Sequence, residues 1–103
     1  MVIPPRNADF ELKIRQIARD SNNIKFTFHA RERMAERDIP IRVALSVIRE
    51  GAVSGKIVAG HAPGEWKAKI VRHVKGRRDI GAVVLLISND RIVVKTLEWE
   101  DWR

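Results

Sequence analysis

Cysteine is absent from the 103-residue chain. Its absence excludes a disulfide framework, a thiolate nucleophile and any zinc site built on cysteine ligands. Long apolar runs are also missing, since the longest one, Ile80 to Ser88, is less than half of the ~20 residues that a transmembrane helix needs. No apolar signal core follows a basic segment at the N-terminus. We therefore expect a cytoplasmic protein with no membrane partner.

Acidic residues are in the minority. Thirteen Asp and Glu stand against twenty Lys and Arg, which leaves a formal charge of +7 and a sequence pI near 10.6. Such a surplus is typical of proteins that bind polyanions, although a basic chain can also be merely soluble. Low-complexity segments are lacking, and the length suits one domain over residues 1–103. Residues 1–8, which include Pro4 and Pro5, are expected to form a flexible arm.

The first half of the chain has helical periodicity. A first helix is capped by Asn7 or Asp9 and runs to Asp20, a second begins at about His29, and a third follows Pro40. Between the first two helices, Ile24 to Phe28 alternates as a short extended stretch. The apolar positions expected to face the core are Phe10, Ile14, Ile17 and Ala18, then Ala30, Met34 and Ala35, then Ile41, Ala44, Leu45 and Ile48.

The second half has the pattern of strands joined by short turns. Asn89-Asp90 predicts a two-residue hairpin, and residues 75–78 predict a glycine-containing turn. The strand between them is apolar on both alternating sets and should be central. The four expected strands are Val53 to Gly60, Trp66 to Val74, Ile80 to Ser88 and Arg91 to Trp99. The sequence thus predicts an α+β fold with two or three N-terminal helices packed on a four-stranded antiparallel sheet.

A polar ridge is expected on the second helix. His29, Arg33 and Arg37 follow one another at spacings of four residues and so lie on one side of a helix. At a helix start the macrodipole favours neutral imidazole, which can accept a proton, and guanidinium forks suit phosphate. The simpler interpretation is that these arginines form solvated ion pairs with Glu32 and Glu36, worth a few tenths of a kcal/mol at most.

The strands carry a second set of basic side chains. Lys67, Lys69 and His73 alternate onto one face of their strand, and Lys95 and Thr96 interrupt the apolar last strand. Cleavage of RNA without a metal needs a base for the 2′-hydroxyl, cations near phosphorus and an acid for the leaving oxygen. Both sets together can supply these groups, so no cofactor and no metal are expected.

Two other features have competing interpretations. Glu65-Trp66-Lys67 has the E-x-K spacing of a class of metal nucleases, but no upstream Asp on a strand accompanies it. Trp66, Trp99 and Trp102 can stack on bases if exposed, or can close the core.

The segments Phe26–Ile39, Trp66–Lys69 and Ile92–Trp99 together resemble a family of small bacterial proteins of uncharacterised function. The resemblance spans about Ile24 to Trp99 and rests on an H-x-x-x-R-x-x-x-R signature from His29 and a T-x-x-W ending from Thr96. That family is similar in layout to the RelE and barnase-like ribonuclease toxins, in which helices precede a four-stranded antiparallel sheet and RNA is cut without metal. RelE-type sites often use tyrosine, which this chain lacks.

The resemblance implies a metal-independent endoribonuclease of the toxin-antitoxin type, with RNA as substrate and a cognate antitoxin protein as a partner. Its expected catalytic residues are His29, Arg33, Arg37 and Thr96, and its expected RNA-binding residues are Lys67, Lys69, His73 and Lys95. Two alternatives stay open, because a fold does not fix a function. One is a non-catalytic nucleic-acid-binding or regulatory module, and the other is a subunit that binds a protein partner.

Overall fold

The computed structural model describes residues 3–74, 78–88 and 90–100. These residues form the expected α+β fold, with the helices first and the main strands second. The helices are α1 (Asn7–Ile17), α2 (Phe28–Glu36) and α3 (Ile41–Glu50), and a short 3-10 turn covers Ser21–Asn23. The strands are β1 (Ile24–Phe26), β2 (Ala52–Ala59), β3 (Trp66–Val74), β4 (Arg78–Ser88) and β5 (Arg91–Trp99).

The sheet has five strands and is mixed, so the prediction of four antiparallel strands is wrong in detail. Strands β2 to β5 form the expected antiparallel meander, but β1 joins the far edge in the order β1-β5-β4-β3-β2. Ile24 lies opposite Ile92 and Phe26 opposite Val94, in parallel register. The short extended stretch of the sequence is therefore a sheet strand, whose two buried side chains extend the apolar core. Residues 75–77 and Asn89 of the two predicted turns lie outside the described residues.

Helices α1 and α3 cover one face of the sheet. Phe10, Ile14 and Ile17 of α1 are buried as their spacing predicted. The expected caps are absent, because α1 begins directly at Asn7 and its N-cap residue, Arg6, makes no side-chain cap hydrogen bond. Glu11 instead accepts a 2.8 Å hydrogen bond from the backbone N–H of Val53, which ties α1 to β2.

The apolar stripe of α3 is rotated slightly from its predicted position. Ala44, Val47 and Ile48 are buried, whereas the expected core residue Ile41 is 52% exposed at the first turn. In α2, Ala35 is likewise exposed although its neighbours in the predicted stripe are buried. One hydrophobic cluster nevertheless joins all three helices to the sheet. Within the described residues, no helix is long and apolar enough to cross a membrane.

Strand β4 is the middle strand of the five, as its apolar sequence predicted. Ile80, Ala82 and Val84 face the helices and are completely buried. On the opposite face Leu85 is only 8% exposed, and a Cβ at Gly60 would lie 2.9 Å from its Cδ1. The loop after β2 therefore approaches Leu85 from the side that α1 and α3 leave uncovered. We call that side of the sheet the open face, and its members include Lys25, Lys67, Lys69, His73, Val83, Leu85, Val93 and Thr96.

Candidate nucleic-acid interface

Helix α2 lies along the edge of β5, just beyond the point where β1 ends. The Thr27 hydroxyl donates to the carbonyl of Lys95 (3.3 Å), and Arg37 Nη1 donates to the carbonyl of Leu97 (3.4 Å). The Trp99 indole N–H donates in return to the carbonyl of Arg37 (2.9 Å). Side chains thus replace a strand as hydrogen-bond partners of this edge, and they fix both ends of α2.

The ridge of His29, Arg33 and Arg37 exists, but it turns around the helix. A step of four residues advances about 40° beyond a full turn, because an α-helix has ~3.6 residues per turn. The buried stripe of α2 contains Ala30 and Met34. Successive ridge residues therefore rotate towards that stripe: His29 is exposed, whereas Arg33 and Arg37 are half-buried.

The three ridge side chains consequently do different things. Arg33 pairs with Glu36, as the solvated-ion-pair interpretation predicted. Arg37 is the C-cap residue of α2 and bonds the edge of β5. Only His29 has no side-chain hydrogen bond with any other described residue. The start of α2 therefore presents an unengaged imidazole next to the Thr27–Lys95 contact.

The open face carries lysines at both ends of a cross-strand row. Lys67 of β3 lies opposite Leu85, which lies opposite Val93 of β5, which lies opposite Lys25 of β1. Lys25 and Lys67 are exposed, and the two apolar residues between them are covered or half-buried. Sequence reasoning missed Lys25, although its position between the buried Ile24 and Phe26 already placed it on the opposite face.

A second row brings Lys69 and Thr96 to the same face. Both residues lie opposite Val83, from β3 and β5 respectively. The ammonium of Lys69 is 2.8 Å from a carboxylate oxygen of Glu100, and the two side chains are 35% and 20% exposed. Gly81 permits this contact, because a Cβ there would lie 2.6 Å from Glu100 Oε2. Lys69 is thus partly neutralised, whereas Lys67 and the exposed Lys95 form no ion pair with another described residue.

His73 lies away from Thr96 along the open face. His73 lies opposite Asp79, and its Nδ1 is 2.8 Å from Asp79 Oδ1. Four residues of strand, about 13 Å, separate His73 from Lys69. Thr27, two residues before His29, bonds the backbone carbonyl of Lys95 instead. The residue that starts α2 thus contacts the backbone of β5 next to Thr96, whereas His73 lies four residues along β3 from Lys69, the residue in the row of Thr96.

The C-terminal end of the ridge meets the open face in a shallow cavity of about 370 Å³. Arg37 and Glu36 line it from α2, and Glu98 and Trp99 line it from β5. The C-terminal end of the ridge thus borders the end of β5. Three carboxylates at this end, Glu36, Asp38 and Glu98, reduce its attraction for an anion, so the more favourable end for phosphate is the His29 end.

The tryptophans and the E-x-K tripeptide have local structural roles. The Arg78 guanidinium lies 4.0 Å from the centre of the Trp99 ring, and Trp99 and Trp66 both pack against the core. Trp102 lies outside the described residues. Glu65 accepts from the backbone N–H of Ala62 within the loop before β3. In the part of the chain that the structure describes, no three His, Asp or Glu side chains form a group that could hold a metal ion.

A comparison with protein families matches residues 26–99, more than two thirds of the chain, to a domain of unknown function, DUF4258. The matched range begins at the end of β1 and contains α2, α3 and strands β2 to β5, so α1 lies outside it. No curated protein matches the chain. No solved structure matches it either. The chain belongs to the DUF4258 family, whose function is unknown.

Proposed function

We propose that this protein is a metal-independent endoribonuclease of the bacterial toxin type, with its active centre at the start of α2. The observation that carries the proposal is the exposed His29 imidazole, unengaged by other described side chains and next to the Thr27–Lys95 contact. The layout of helices followed by a meander is also the layout of RelE-like ribonucleases.

RNA would cross the open face, where exposed lysines can bind phosphates and the half-buried apolar rows can contact sugars or bases. Lys25 and Lys67 would hold the strand on either side of the apolar row. Lys69, held by Glu100, would contribute less. Thr96, on the same face and next to Lys95, would position the reacting nucleotide.

The proposed reaction is an internal transfer. His29 Nε2 or Nδ1 takes the proton of a 2′-hydroxyl, the 2′-oxygen forms a bond to phosphorus, and the bond from phosphorus to the 5′-oxygen breaks. The Lys95 ammonium donates a proton to that leaving oxygen. Arg33, if it exchanges Glu36 for phosphate, stabilises the charge that develops on the phosphoryl oxygens. The products are a 2′,3′-cyclic phosphate and a 5′-hydroxyl.

The decisive assay is incubation of the purified protein with total RNA in excess EDTA. We expect cleavage in EDTA, and we expect His29→Ala to abolish it by removing the base. His61→Ala is the matched control, because His61 is an exposed loop histidine outside the proposed centre. Failure to cleave, dependence on added divalent metal, or equal loss in both variants would refute the mechanism.

A second candidate is a nucleic-acid-binding module without turnover. It is favoured by the engagement of Arg33 with Glu36 and of Arg37 with β5, because both arginines then serve the fold. This candidate predicts that RNA binds and remains intact, and that His29→Ala leaves the affinity almost unchanged.

A further inference from the structure

A second cavity lies away from the proposed centre, between α3 and the ends of β3, β4 and β5. Its volume is about 780 Å³, within the ~300–1,000 Å³ range of small-molecule sites. Apolar side chains form much of its wall: Ile39 and Ile80 are buried, and Val43, Val74 and Trp99 pack against the core. We call this cavity the α3 cleft. Its wall suits a flat, largely apolar group.

Two basic side chains also line the α3 cleft, Arg42 from α3 and Arg72 from β3. Arg72 is already positioned, because its Nη1 donates to Ser46 Oγ at 3.0 Å and its Nη2 lies 3.5 Å from Glu50. His73, the next residue of β3, alternates onto the open face and lies beside Asp79 there. Arg42 is exposed and has no side-chain bond with the other described residues.

The N-terminal end of α3 adds to this positive rim. Pro40, its N-cap residue, provides no side-chain hydrogen bond to the first turn, and Pro40, Arg42 and Val43 all line the α3 cleft. Uncapped N–H groups and the helix dipole favour an anion at this end. The Asp38 carboxylate is an exception in the wall, and it suits a hydroxyl donor better than an anion.

We propose that the α3 cleft binds a nucleoside monophosphate. The base lies against the apolar wall, the phosphate is bound by Arg42 and Arg72, and the ribose hydroxyls donate to Asp38. Each part of that ligand then meets a matching part of the cavity, which neither inorganic phosphate nor a simple apolar molecule would do. The proposal does not depend on RNA cleavage, because a free mononucleotide can test it.

The test is titration of the ¹⁵N-labelled protein with AMP, adenosine or inorganic phosphate, followed by amide chemical shifts. We expect AMP to bind at least about tenfold more tightly than either of the other two, since it alone engages both the cations and the wall. Shifts should centre on residues 39–46 and 72–74. AMP binding no stronger than that of phosphate, or shifts confined to the open face, would overturn the proposal.

Substitutions of two exposed arginines distinguish binding of AMP in the α3 cleft from a general attraction of AMP to a basic protein. Arg42→Gln should weaken AMP binding about tenfold, and Arg42→Lys should lose less because it keeps the charge. Arg19→Gln removes the same charge just beyond α1, away from the α3 cleft, and should change affinity less than about twofold. Equal losses in Arg42→Gln and Arg19→Gln would show that AMP senses only net charge.

A last titration distinguishes a free mononucleotide from the 5′ end of an RNA strand as the ligand. A six-residue RNA with a 5′-phosphate should shift the same amides as AMP if the α3 cleft receives a strand end. Shifts at the cleft with AMP alone assign it to free mononucleotides, and both results support the site. If neither probe shifts residues 39–46, the proposal fails even where the RNA cleavage assay succeeds.

Discussion

At the scale of single residues, Thr27 has two tasks. Its hydroxyl oxygen accepts from the backbone N–H of Ala30 (3.0 Å), which caps the first turn of α2. The same hydroxyl donates to the carbonyl of Lys95 (3.3 Å), which ties that turn to β5. One side chain therefore starts α2 and fixes the position of His29 relative to the strand.

Replacing Thr27 tests this arrangement. Thr27→Ala should lower the free energy of unfolding by about 1–2 kcal/mol, since a cap and a second hydrogen bond are lost together. Thr27→Ser keeps the hydroxyl and should lose less than half of that amount. Urea denaturation followed by circular dichroism measures both. An alanine variant as stable as the parent protein would show that the two bonds contribute nothing net.

The residue pattern of the polar ridge predicts the position of its side chains on the helix but not their bonding partners. The spacing of His29, Arg33 and Arg37 correctly indicated one side of one helix. It could not indicate that Arg33 would pair with Glu36 or that Arg37 would bond the carbonyl of Leu97. The partner of Arg33 depends on whether Glu32 or Glu36 is better placed on the helix. The partner of Arg37 belongs to a strand sixty residues further along the chain.

At the scale of elements, the end of α2 determines how α3 begins. Asp38 has φ of 53°, in the left-handed region, and the N–H of Ile39 donates to the carbonyl of Met34 (2.9 Å). With the weaker bond from Asp38 N–H to the Ala35 carbonyl (3.4 Å), this is the Schellman pattern. It buries Ile39 and directs the chain into Pro40 and α3.

Asp38 is therefore a site where glycine should stabilise the fold. Asp38→Gly relieves the left-handed strain of a residue with a Cβ and should raise the free energy of unfolding by roughly 0.5–1 kcal/mol. Asp38→Ala keeps the Cβ, lacks the polar side chain that tolerates this conformation, and should be less stable than the parent. Thermal or urea unfolding of the three proteins checks the order Gly, Asp, Ala. A parent more stable than Asp38→Gly would mean that the carboxylate itself stabilises the turn, and a parent no more stable than Asp38→Ala would mean that its polar side chain gives no advantage there.

Strand β1 marks the limit of predicting elements from this sequence. Alternation of Ile24, Lys25 and Phe26 indicated an extended segment, but three residues are too few to name a partner. The partner is β5, 68 residues further along, and the pairing is parallel. The meander was predictable, because each of its strands is long and pairs with its neighbour in sequence.

At the scale of the whole molecule, the strand topology brings positive charges from separate segments to one face of the sheet. The +7 surplus is not confined to one segment, and the lysines of β1 and β3 meet only when the sheet places Lys25 and Lys67 on one face. Helices α1 and α3 occupy the other face. The helices thus leave the open face uncovered, apart from the loop after β2 over Leu85. The mixed topology, which sequence analysis missed, extends the basic surface of this face by one strand.

This arrangement predicts the salt dependence of RNA binding. Phosphate contacts through Lys25, Lys67 and Lys95 would release about three counterions, so the logarithm of affinity should fall with the logarithm of salt with a slope near −2. Lys67→Gln should reduce that slope by about 0.7, because one contact is lost. Fluorescence anisotropy of a labelled single-stranded RNA between low and moderate salt gives both slopes.

Arg19→Gln is the control for that measurement, because it removes one positive charge just beyond α1, outside the open face. Screening limits its influence to roughly one Debye length, about 10 Å at 0.1 M salt, so the slope should stay near that of the parent. If Arg19→Gln reduces the slope as much as Lys67→Gln does, RNA binds to net charge and not to the open face. A slope near zero in the parent would instead mean that phosphate contacts do not drive binding, and the function proposed for the open face would be wrong.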